Sequence, residues 1–383
     1  MKSSLFDQPN SYPPWAPRIW TGLKPGDYWR FLSENKFRIH PLRYAMTGLI
    51  SFWSIGNLAL SPVQNLIHGS KIAETELVEP PIFILGHWRS GTTLLHELMS
   101  LDEDLAFPTN YDAFLPYHFM VSGPLFRPLM RLLMPGKRPM DSMSMHVDSP
   151  QEDDFALLLM GAPVQYRRMG FPQHDNDYER FLDWQQLEPQ ELADVEYKLK
   201  FFYQALTYKY KKRLALKSPP HTGRIECLAK WFPGAKFIHI SRHPHEVVPS
   251  TMRLWKLIDD VHAFQVPRYD EAELLQYVNR CHEILYRPYH QSVANLRDNQ
   301  LAEVRFEDLV AKPRSTINHI YEKLELDGSD RAVESAESYF AQRKNHKRNR
   351  YDIDNLIAPI NTDWSEYMER FGYQGDSTAG ANG

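Results

Sequence analysis

The sequence has few cysteines and no apolar run near its start, and each shortage argues against a class of protein. Only two cysteines, Cys227 and Cys281, occur in 383 residues. A disulfide-stapled secreted domain is therefore not expected, whereas a reducing, cytoplasmic location is. No cysteines or histidines have the spacing of a zinc site, and we expect no metal. The first residues lack the apolar core of a secretory signal.

Neither sign of charge dominates the chain. Lysine and arginine number 44, aspartate and glutamate 48, and the formal net charge is −4. A chain of this balance has no overall attraction for nucleic acid, so we expect no nucleic-acid partner. The length suits one large α/β domain or two smaller ones.

Residues 1–78 are predicted to form a helical N-terminal extension, and residues 79–383 the main domain. No charged residue occurs from 44 to 67, although Pro62 interrupts this stretch. Its better part is 17 residues, short of the ~20 that span a bilayer. Four of the nine tryptophans lie in the first 53 residues, beside basic residues. Three interpretations remain: a packed extension, peripheral contact with a membrane surface, or a span.

A strand, a glycine-rich loop and a helix follow the extension. Ile82–Leu85 is a short apolar run typical of a buried parallel strand. Residues 86–90 then predict a loop. Residues 91–101 place four leucines on one side of a helix.

The loop, GHWRSGTT, resembles a nucleotide-binding P-loop whose cation has moved. Gly86 and Gly91 have the P-loop spacing, and the hydroxyl residues Thr92 and Thr93 follow. Backbone N–H groups and the helix dipole at such a turn favour an anion. The usual lysine is missing, and the only full charge is that of Arg89, inside the loop.

The alternation of strands and helices continues and predicts an α/β fold. We expect a P-loop-type parallel sheet with helices on both faces and with ligands at the carboxyl ends of its strands. Residues 103–200 are predicted to form a helical insertion over that site. The further predicted strands are 214–216, 236–240 and 303–306, and the further helices are 222–231, with Thr222 as its cap, 244–255, 271–296 and 315–324.

A second cation stands where many nucleotide-binding proteins place an acid. Arg242 follows the strand 236–240 at the position where an ATPase or kinase often has a carboxylate for Mg²⁺. A cation there indicates a second anion, as in a nucleotide that carries phosphate at both its 5′ and 3′ ends. The alternative is a kinase that acts on a small molecule or lipid with ATP and Mg²⁺.

Four segments together resemble the sulfotransferases that use 3′-phosphoadenosine 5′-phosphosulfate (PAPS), in their broad bacterial and Golgi-type branch. The resemblance covers about residues 80–375, roughly four fifths of the chain. The segments are WRSGTTLL at 88–95, ISRHP at 240–244 with Ser250 beyond it, KSP at 217–219 and VRFEDL at 304–309.

This resemblance assigns roles to residues of the chain, with PAPS as co-substrate. Arg89 matches the cation between the leaving phosphate and the transferred sulfuryl group, and Lys217 is a candidate second catalytic cation. Arg242 and Ser250 match ligands of the 3′-phosphate, and Arg348 is a candidate from a basic loop over the nucleotide. The remaining candidates cradle the 5′-phosphate: Ser90, Gly91, Thr92, Thr93 and Leu94.

The general base does not stand at either position that is familiar in the family. The segment MHVDSPQEDDF, 145–155, supplies the candidates. Ser149, Pro150 and Glu152 have the spacing of a capping box, so we rank His146 just ahead of Glu152. Two further candidates rank below them, His221 and Asp153. The acceptor is predicted only as a hydroxyl or amine of a small molecule, lipid or glycan.

Overall fold

A parallel five-stranded sheet lies at the centre of the protein. The computed structural model describes residues 12, 16–134, 136, 146–173, 177–342 and 353–373. The strands lie in the order β2-β3-β1-β4-β5, and all four neighbouring pairs are parallel. They are β1 (Ile82–Leu85), β2 (Leu105–Ala106), β3 (Arg213–Lys217), β4 (Lys236–Ser241) and β5 (Leu301–Arg305).

Fifteen α-helices belong to the described part of the chain. They are α1 (Pro25–Glu34), α2 (Tyr44–Ala73), α3 (Thr92–Met99), α4 (Asn110–Phe114), α5 (Phe119–Leu133), α6 (Asp153–Leu159), α7 (Pro189–Tyr210), α8 (Ile225–Trp231), α9 (Pro244–His262), α10 (Glu271–Val293), α11 (Phe306–Ala311), α12 (Pro313–Leu324), α13 (Ser329–Gln342), α14 (Ile357–Asp363) and α15 (Ser365–Arg370).

Two hydrophobic cores lie on opposite faces of the sheet. In β1, Phe83 and Leu85 join one core and Ile82 and Ile84 join the other, because successive side chains of a strand point to opposite faces. Helices α7 to α10 contribute to the first core, and α3, α12 and α13 to the second. The α/β fold with helices on both faces is therefore confirmed.

The predicted strands agree with the structure except at their ends and at the sheet edge. β1 has the predicted bounds, whereas β5 begins two residues earlier than expected. The two-residue strand β2 was not predicted, because a segment of two residues is too short to show a hydrophobic pattern. It is defined by its pairing with Arg213 and Leu214 of β3. Helices α4 to α7 lie between β2 and β3, in the region of the predicted insertion, and α7 continues beyond its predicted end to Tyr210.

One predicted helix start is wrong. Thr222 does not cap a helix but lies within the 3-10 helix Pro219–Arg224, and α8 begins only at Ile225. The physical reason is a long-range bond, since the Thr222 hydroxyl accepts a hydrogen bond from the backbone N–H of Gly86, 2.8 Å away.

The N-terminal extension packs against the main domain. Trp20 is fully buried, and its indole N–H donates to the carbonyl of His262 at 2.6 Å. Its ring stacks on Phe31 and contacts Phe264. The long helix α2 follows and continues through Pro62. None of the helices in the described residues combines the length and apolarity needed to cross a bilayer.

The buried side of α2 combines two isoleucines with three polar residues, Ser54, Asn57 and Gln64. Asn57 is 5% exposed and donates to the carbonyls of Thr21 and Leu23, at 2.6 and 2.9 Å. Its own carbonyl oxygen lies 3.0 Å from Nε2 of His118. The buried Gln64 accepts a hydrogen bond from the backbone N–H of Met120. These bonds fix the rotation of α2 about its axis.

We expect Asn57→Leu to destabilise the fold strongly. The substitution leaves two buried carbonyls and one histidine without their partner, at a cost of about 1–3 kcal/mol for each unpaired group. The neighbouring Leu58→Gln, on the exposed side, should change the free energy of unfolding by no more than about 0.5 kcal/mol. Urea unfolding followed by circular dichroism measures both. Equal midpoints for the two variants would contradict this account of α2.

Candidate active site

The loop between β1 and α3 has a backbone held in unusual conformations. Gly86 and Gly91 have φ of 142° and 109°, and Arg89, which is not a glycine, has φ of 68°. A Cβ at Gly91 would lie 2.4 Å from the ring of Phe306. Left-handed backbone at a non-glycine residue is strained and typical of functional sites.

The hydrogen-bond donors of the loop lie together at the N-terminal end of α3. Helix α3 begins at Thr92, so the free N–H groups of its first turn face the end of the loop. Ser90 is fully buried, and its hydroxyl has no hydrogen-bond partner among the described residues. A buried hydroxyl without a partner is rare in folded proteins. The residues present therefore suit a bound anion.

Two arginines and a serine meet beside this loop. Nε of Arg89 donates to the hydroxyl of Ser250, a residue of α9, at 3.0 Å. Arg242, at the end of β4, donates to the carbonyl of Arg89 at 3.2 Å and to Glu246 at 3.1 Å. Its guanidinium also lies over the ring of Phe306, 4.4 Å from the ring centroid. The structure therefore brings Arg89, Arg242 and Ser250 together at the carboxyl ends of β1 and β4.

The last described segment, 353–373, encloses the same edge of the sheet. The hydroxyl of Tyr367 accepts from the backbone N–H of Arg242 at 3.0 Å. Trp364 stacks on His282 with ring centroids 3.6 Å apart, and its ring meets that of His87 in the loop. Burial lowers the pKa of His87 to about 4. The loop is thus seated on neutral aromatic groups.

A second cluster contains Glu152 and Lys217. The ammonium of Lys217, at the end of β3, lies 2.6 Å from Oε1 of Glu152. The Tyr166 hydroxyl donates to Oε2 of the same carboxylate. Tyr166 in turn accepts from the indole N–H of Trp88 at 2.9 Å. Trp88 precedes Arg89, so a chain of hydrogen bonds joins Glu152 to the loop.

The two acids that follow Glu152 have other partners. Asp153 pairs with Nε2 of His221 at 2.8 Å and accepts from Tyr203. Burial alone raises the pKa of Asp153, but His221 and the hydrogen bonds hold it below its ordinary value. Asp154 pairs with Arg224 at 2.7 Å, and burial raises the pKa of its carboxyl.

The same buried acids are the one group among the described residues with the geometry of a metal site. Asp153, Asp154 and His221 place their ligand atoms within 4.8 Å of one another. The guanidinium of Arg224 already supplies positive charge to this group. We therefore interpret it as an internal ion-pair network that supports the start of α6. The expectation that the protein needs no metal stays a prediction.

The predicted capping box at the start of α6 is wrong. The helix begins at Asp153, with Glu152 as the N-cap residue, and the Glu152 side chain makes no capping bond. The reason is that Pro150 forms an antiparallel bridge with Thr109 and the backbone is still extended at Glu152, so the helix cannot begin at Pro150. Glu152 is thereby free to contact Lys217 instead of capping a helix.

The other candidates for a base have different surroundings. His146 is exposed, and its backbone carbonyl accepts hydrogen bonds from the Asn110 side chain at 2.6 Å and from the backbone N–H of Ser149 at 3.2 Å. His221 and Asp153 are fully buried in contact with each other. Arg348 lies outside the described residues, so its predicted role stays a prediction.

Several residues of the site had no signal in the sequence. Trp88, Tyr166, Phe306 and Tyr367 contact the loop or its arginines. Aromatic residues are more often core than site, and three of these four lie far from the loop in the chain. Trp88, directly before Arg89, and Phe306, within the segment VRFEDL, are the two whose place within a recognised motif could have drawn attention to them.

A P-loop-like turn with an internal arginine, and a second arginine at the neighbouring strand end, suit a transferase that acts on an anionic group. The sulfotransferase family profile matches residues 80–330. The chain belongs to the sulfotransferase family, and it is an enzyme that transfers a sulfate group.

Two curated relatives match nearly the whole chain. They are the omega-hydroxy-beta-dihydromenaquinone-9 sulfotransferases of Mycobacterium bovis and Mycobacterium tuberculosis. Each is 34% identical over 363 residues, which cover 94% of this chain and 92% of the relative. The match includes the N-terminal extension as well as the domain that the family profile covers.

Solved sulfotransferases have the same fold. One from Mycobacterium avium superposes with a TM-score of 0.67 at 17% identity, covering 91% of this chain and 97% of its own. One from Mycobacterium tuberculosis gives 0.61 at 16% identity, covering 90% and 94%. At these identities the likeness concerns the fold alone.

The buried His87 makes the loop sensitive to acid. Its pKa in the folded protein is about 4, below the value of 6.5 for an exposed histidine. Stability from this group is complete above pH 6.5 and is lost as the pH falls toward 4, because only the unfolded chain then binds the proton. The loss is about 1.4 kcal/mol per pH unit.

His87→Asn should therefore flatten the decline in unfolding free energy between pH 6.5 and 4. Urea unfolding at half-unit steps of pH measures the slope for wild type and variant. Identical slopes would show that His87 takes up its proton in the folded state.

Proposed function

We propose that the enzyme transfers the sulfuryl group of PAPS to a hydroxyl of a lipid-like acceptor. The proposal of PAPS as the donor rests on one observation: Arg89, Arg242 and Ser250 contact one another beside a turn that suits a phosphate. The lipid character of the acceptor is supported by the relatives, whose names give a hydroxylated menaquinone as substrate. A small-molecule or glycan acceptor has no comparable support.

The two arginines suit the two ends of PAPS. Arg89 lies in the turn directly before α3, where the 5′-phosphosulfate would accept hydrogen bonds from the N–H groups of the first helical turn. Arg242 and Ser250 would hold the 3′-phosphate from the neighbouring strand end and from α9. Guanidinium groups recognise phosphate through paired N–H donors.

The reaction moves negative charge toward Arg89. The acceptor oxygen attacks sulfur, the bond from sulfur to the bridging phosphate oxygen breaks, and that oxygen keeps the electron pair. The leaving group is 3′,5′-diphosphoadenosine (PAP). A fixed guanidinium at the leaving phosphate stabilises this charge as it develops. The proton of the acceptor hydroxyl must pass to a base.

We assign the base to Glu152. An ionised carboxylate has about four positions for accepting hydrogen bonds, and Lys217 and Tyr166 use two of them. The remaining lone pairs are available to the acceptor hydroxyl. Lys217 and Tyr166 act as positioning groups, because they hold both carboxylate oxygens beside the loop. Lys217 also supplies positive charge close to the transferred group.

The kinase alternative is not favoured. The cation Arg242 stands at the strand end where a kinase of this fold would place its metal-binding acid. Asp153 and Asp154, the two acids of the group with metal-site geometry among the described residues, are fully buried and already paired with His221 and Arg224.

Nucleotide affinity tests the donor. Without metal, PAP should bind about ten- to a hundredfold more tightly than AMP, the cost of losing one charge-assisted contact. Arg242→Ala should remove most of this difference, whereas Arg314→Ala, an exposed arginine on α12, should keep it. Calorimetry measures both ratios. Equal wild-type affinity for PAP and AMP would refute PAPS as donor.

Turnover tests the base. Glu152→Gln should lower turnover by ~10²–10⁴-fold while PAP affinity stays unchanged, because glutamine accepts the Lys217 bond but cannot take a proton. Tyr166→Phe should lower turnover less and leave the KM for PAPS unchanged. The assay follows sulfation of a prenylated quinol in detergent at saturating PAPS.

His146→Ala is the matched variant for the second candidate. It should keep turnover within about twofold of wild type, since His146 is exposed and none of the described contacts joins it to Lys217. An inactive His146→Ala beside an active Glu152→Gln would move the role of base to His146.

A further inference from the structure

Helix α2 presents its apolar side to solvent. Seven exposed side chains share this side, and we call them the α2 strip: Leu49, Phe52, Ile55, Leu58, Val63, Leu66 and Ile67. Phe52 is 67% exposed and Leu66 is 88% exposed. A surface helix normally buries its apolar side and exposes polar residues. Helix α2 departs from this arrangement, because its exposed side is apolar and three of the five residues that it buries are polar.

The orientation of α2 is built into the packing. The residues that α2 buries include Ser54, Asn57 and Gln64, and the last two bond to Thr21, Leu23 and Met120 of neighbouring elements. Turning the helix to bury the strip would break all of these bonds. The strip must therefore remain at the surface of the protein.

The width and length of the strip suit a continuous apolar medium. At 100° per residue, its members cover about half of the helix circumference, wider than the narrow seam through which two helices pair. Its axial length is about 27 Å. Helix α5, which packs against α2, also has two exposed leucines, Leu125 and Leu132, which are 73% and 81% exposed.

A basic and aromatic segment precedes α2 in the chain. Lys36 and Arg38 are exposed on either side of Phe37, whose ring contacts the exposed Trp29. Arg38 stands four residues before the exposed Leu42, at most about 14 Å along the chain. Basic residues with aromatics beside an apolar surface match the headgroup region of an anionic bilayer.

We propose that the α2 strip docks the protein on an anionic phospholipid bilayer. The helix lies in the plane of the membrane, its strip sits between the headgroups, and Lys36 and Arg38 contact lipid phosphates. A helix satisfies its own backbone hydrogen bonds, so it enters this region without unpaired groups. The proposal deepens the proposed function, because a lipid acceptor would be met at this surface, but it requires none of the reaction residues.

Flotation with vesicles tests the proposal. The full chain should float with vesicles of phosphatidylcholine and phosphatidylglycerol, and less with phosphatidylcholine alone. Phe52→Gln/Leu66→Gln should reduce binding at least tenfold, because both side chains lose apolar burial. Lys36→Gln/Arg38→Gln should reduce it about fivefold for each charge, and should weaken its dependence on salt.

Leu101→Gln is the control. Leu101 is also exposed, at 39%, but lies beyond α3, away from the strip, and its variant should float like wild type. PAP affinity should be unchanged in every variant, so failure of docking is distinguishable from failure of the proposed reaction.

Two outcomes would overturn the proposal. One is a flotation result: the wild-type chain does not float with the anionic vesicles, or the strip variant floats as well as wild type. The other is a dimer in sedimentation velocity that the strip variant abolishes, without vesicle binding by wild type. That second result would assign the strip to a second copy of the chain.

Discussion

The position of Arg89 is the constraint on which the site depends. Its left-handed backbone turns the loop, its carbonyl accepts from Arg242, and its side chain reaches Ser250. One residue thus ties the end of β1 to the end of β4 and to α9. Such strain persists only where the surroundings enforce it, and the ring of Phe306 packs so close to Gly91 that a Cβ would not fit there.

Features that depend on local sequence were predictable. A continuous apolar run before glycines specifies β1 and its loop, and Arg242 follows β4 directly, so the convergence of these segments follows from the parallel sheet. The start of α6 was not predictable in the same way. Its N-cap is Glu152 because Pro150 pairs with Thr109, a contact between residues 41 positions apart that no local pattern reveals.

Three consecutive acids illustrate why burial decides the role of a carboxylate. Glu152 faces Lys217 and Tyr166 and keeps 13% of its side chain exposed, whereas Asp153 and Asp154 are completely enclosed with His221 and Arg224. The backbone at the start of a helix turns successive side chains in different directions. Identical charge in the sequence therefore becomes one candidate reaction group and two structural supports.

The enclosing segment 353–373 has a consequence for synthesis on the ribosome. His87 leaves the ribosome roughly 280 residues before Trp364 and Tyr367, a delay of about 15–60 s at ordinary rates of translation. Throughout that interval the loop lacks the aromatic side chains against which it packs. The sheet can be completed once β5 has emerged, but the candidate site is completed only after residues 353–373 have followed.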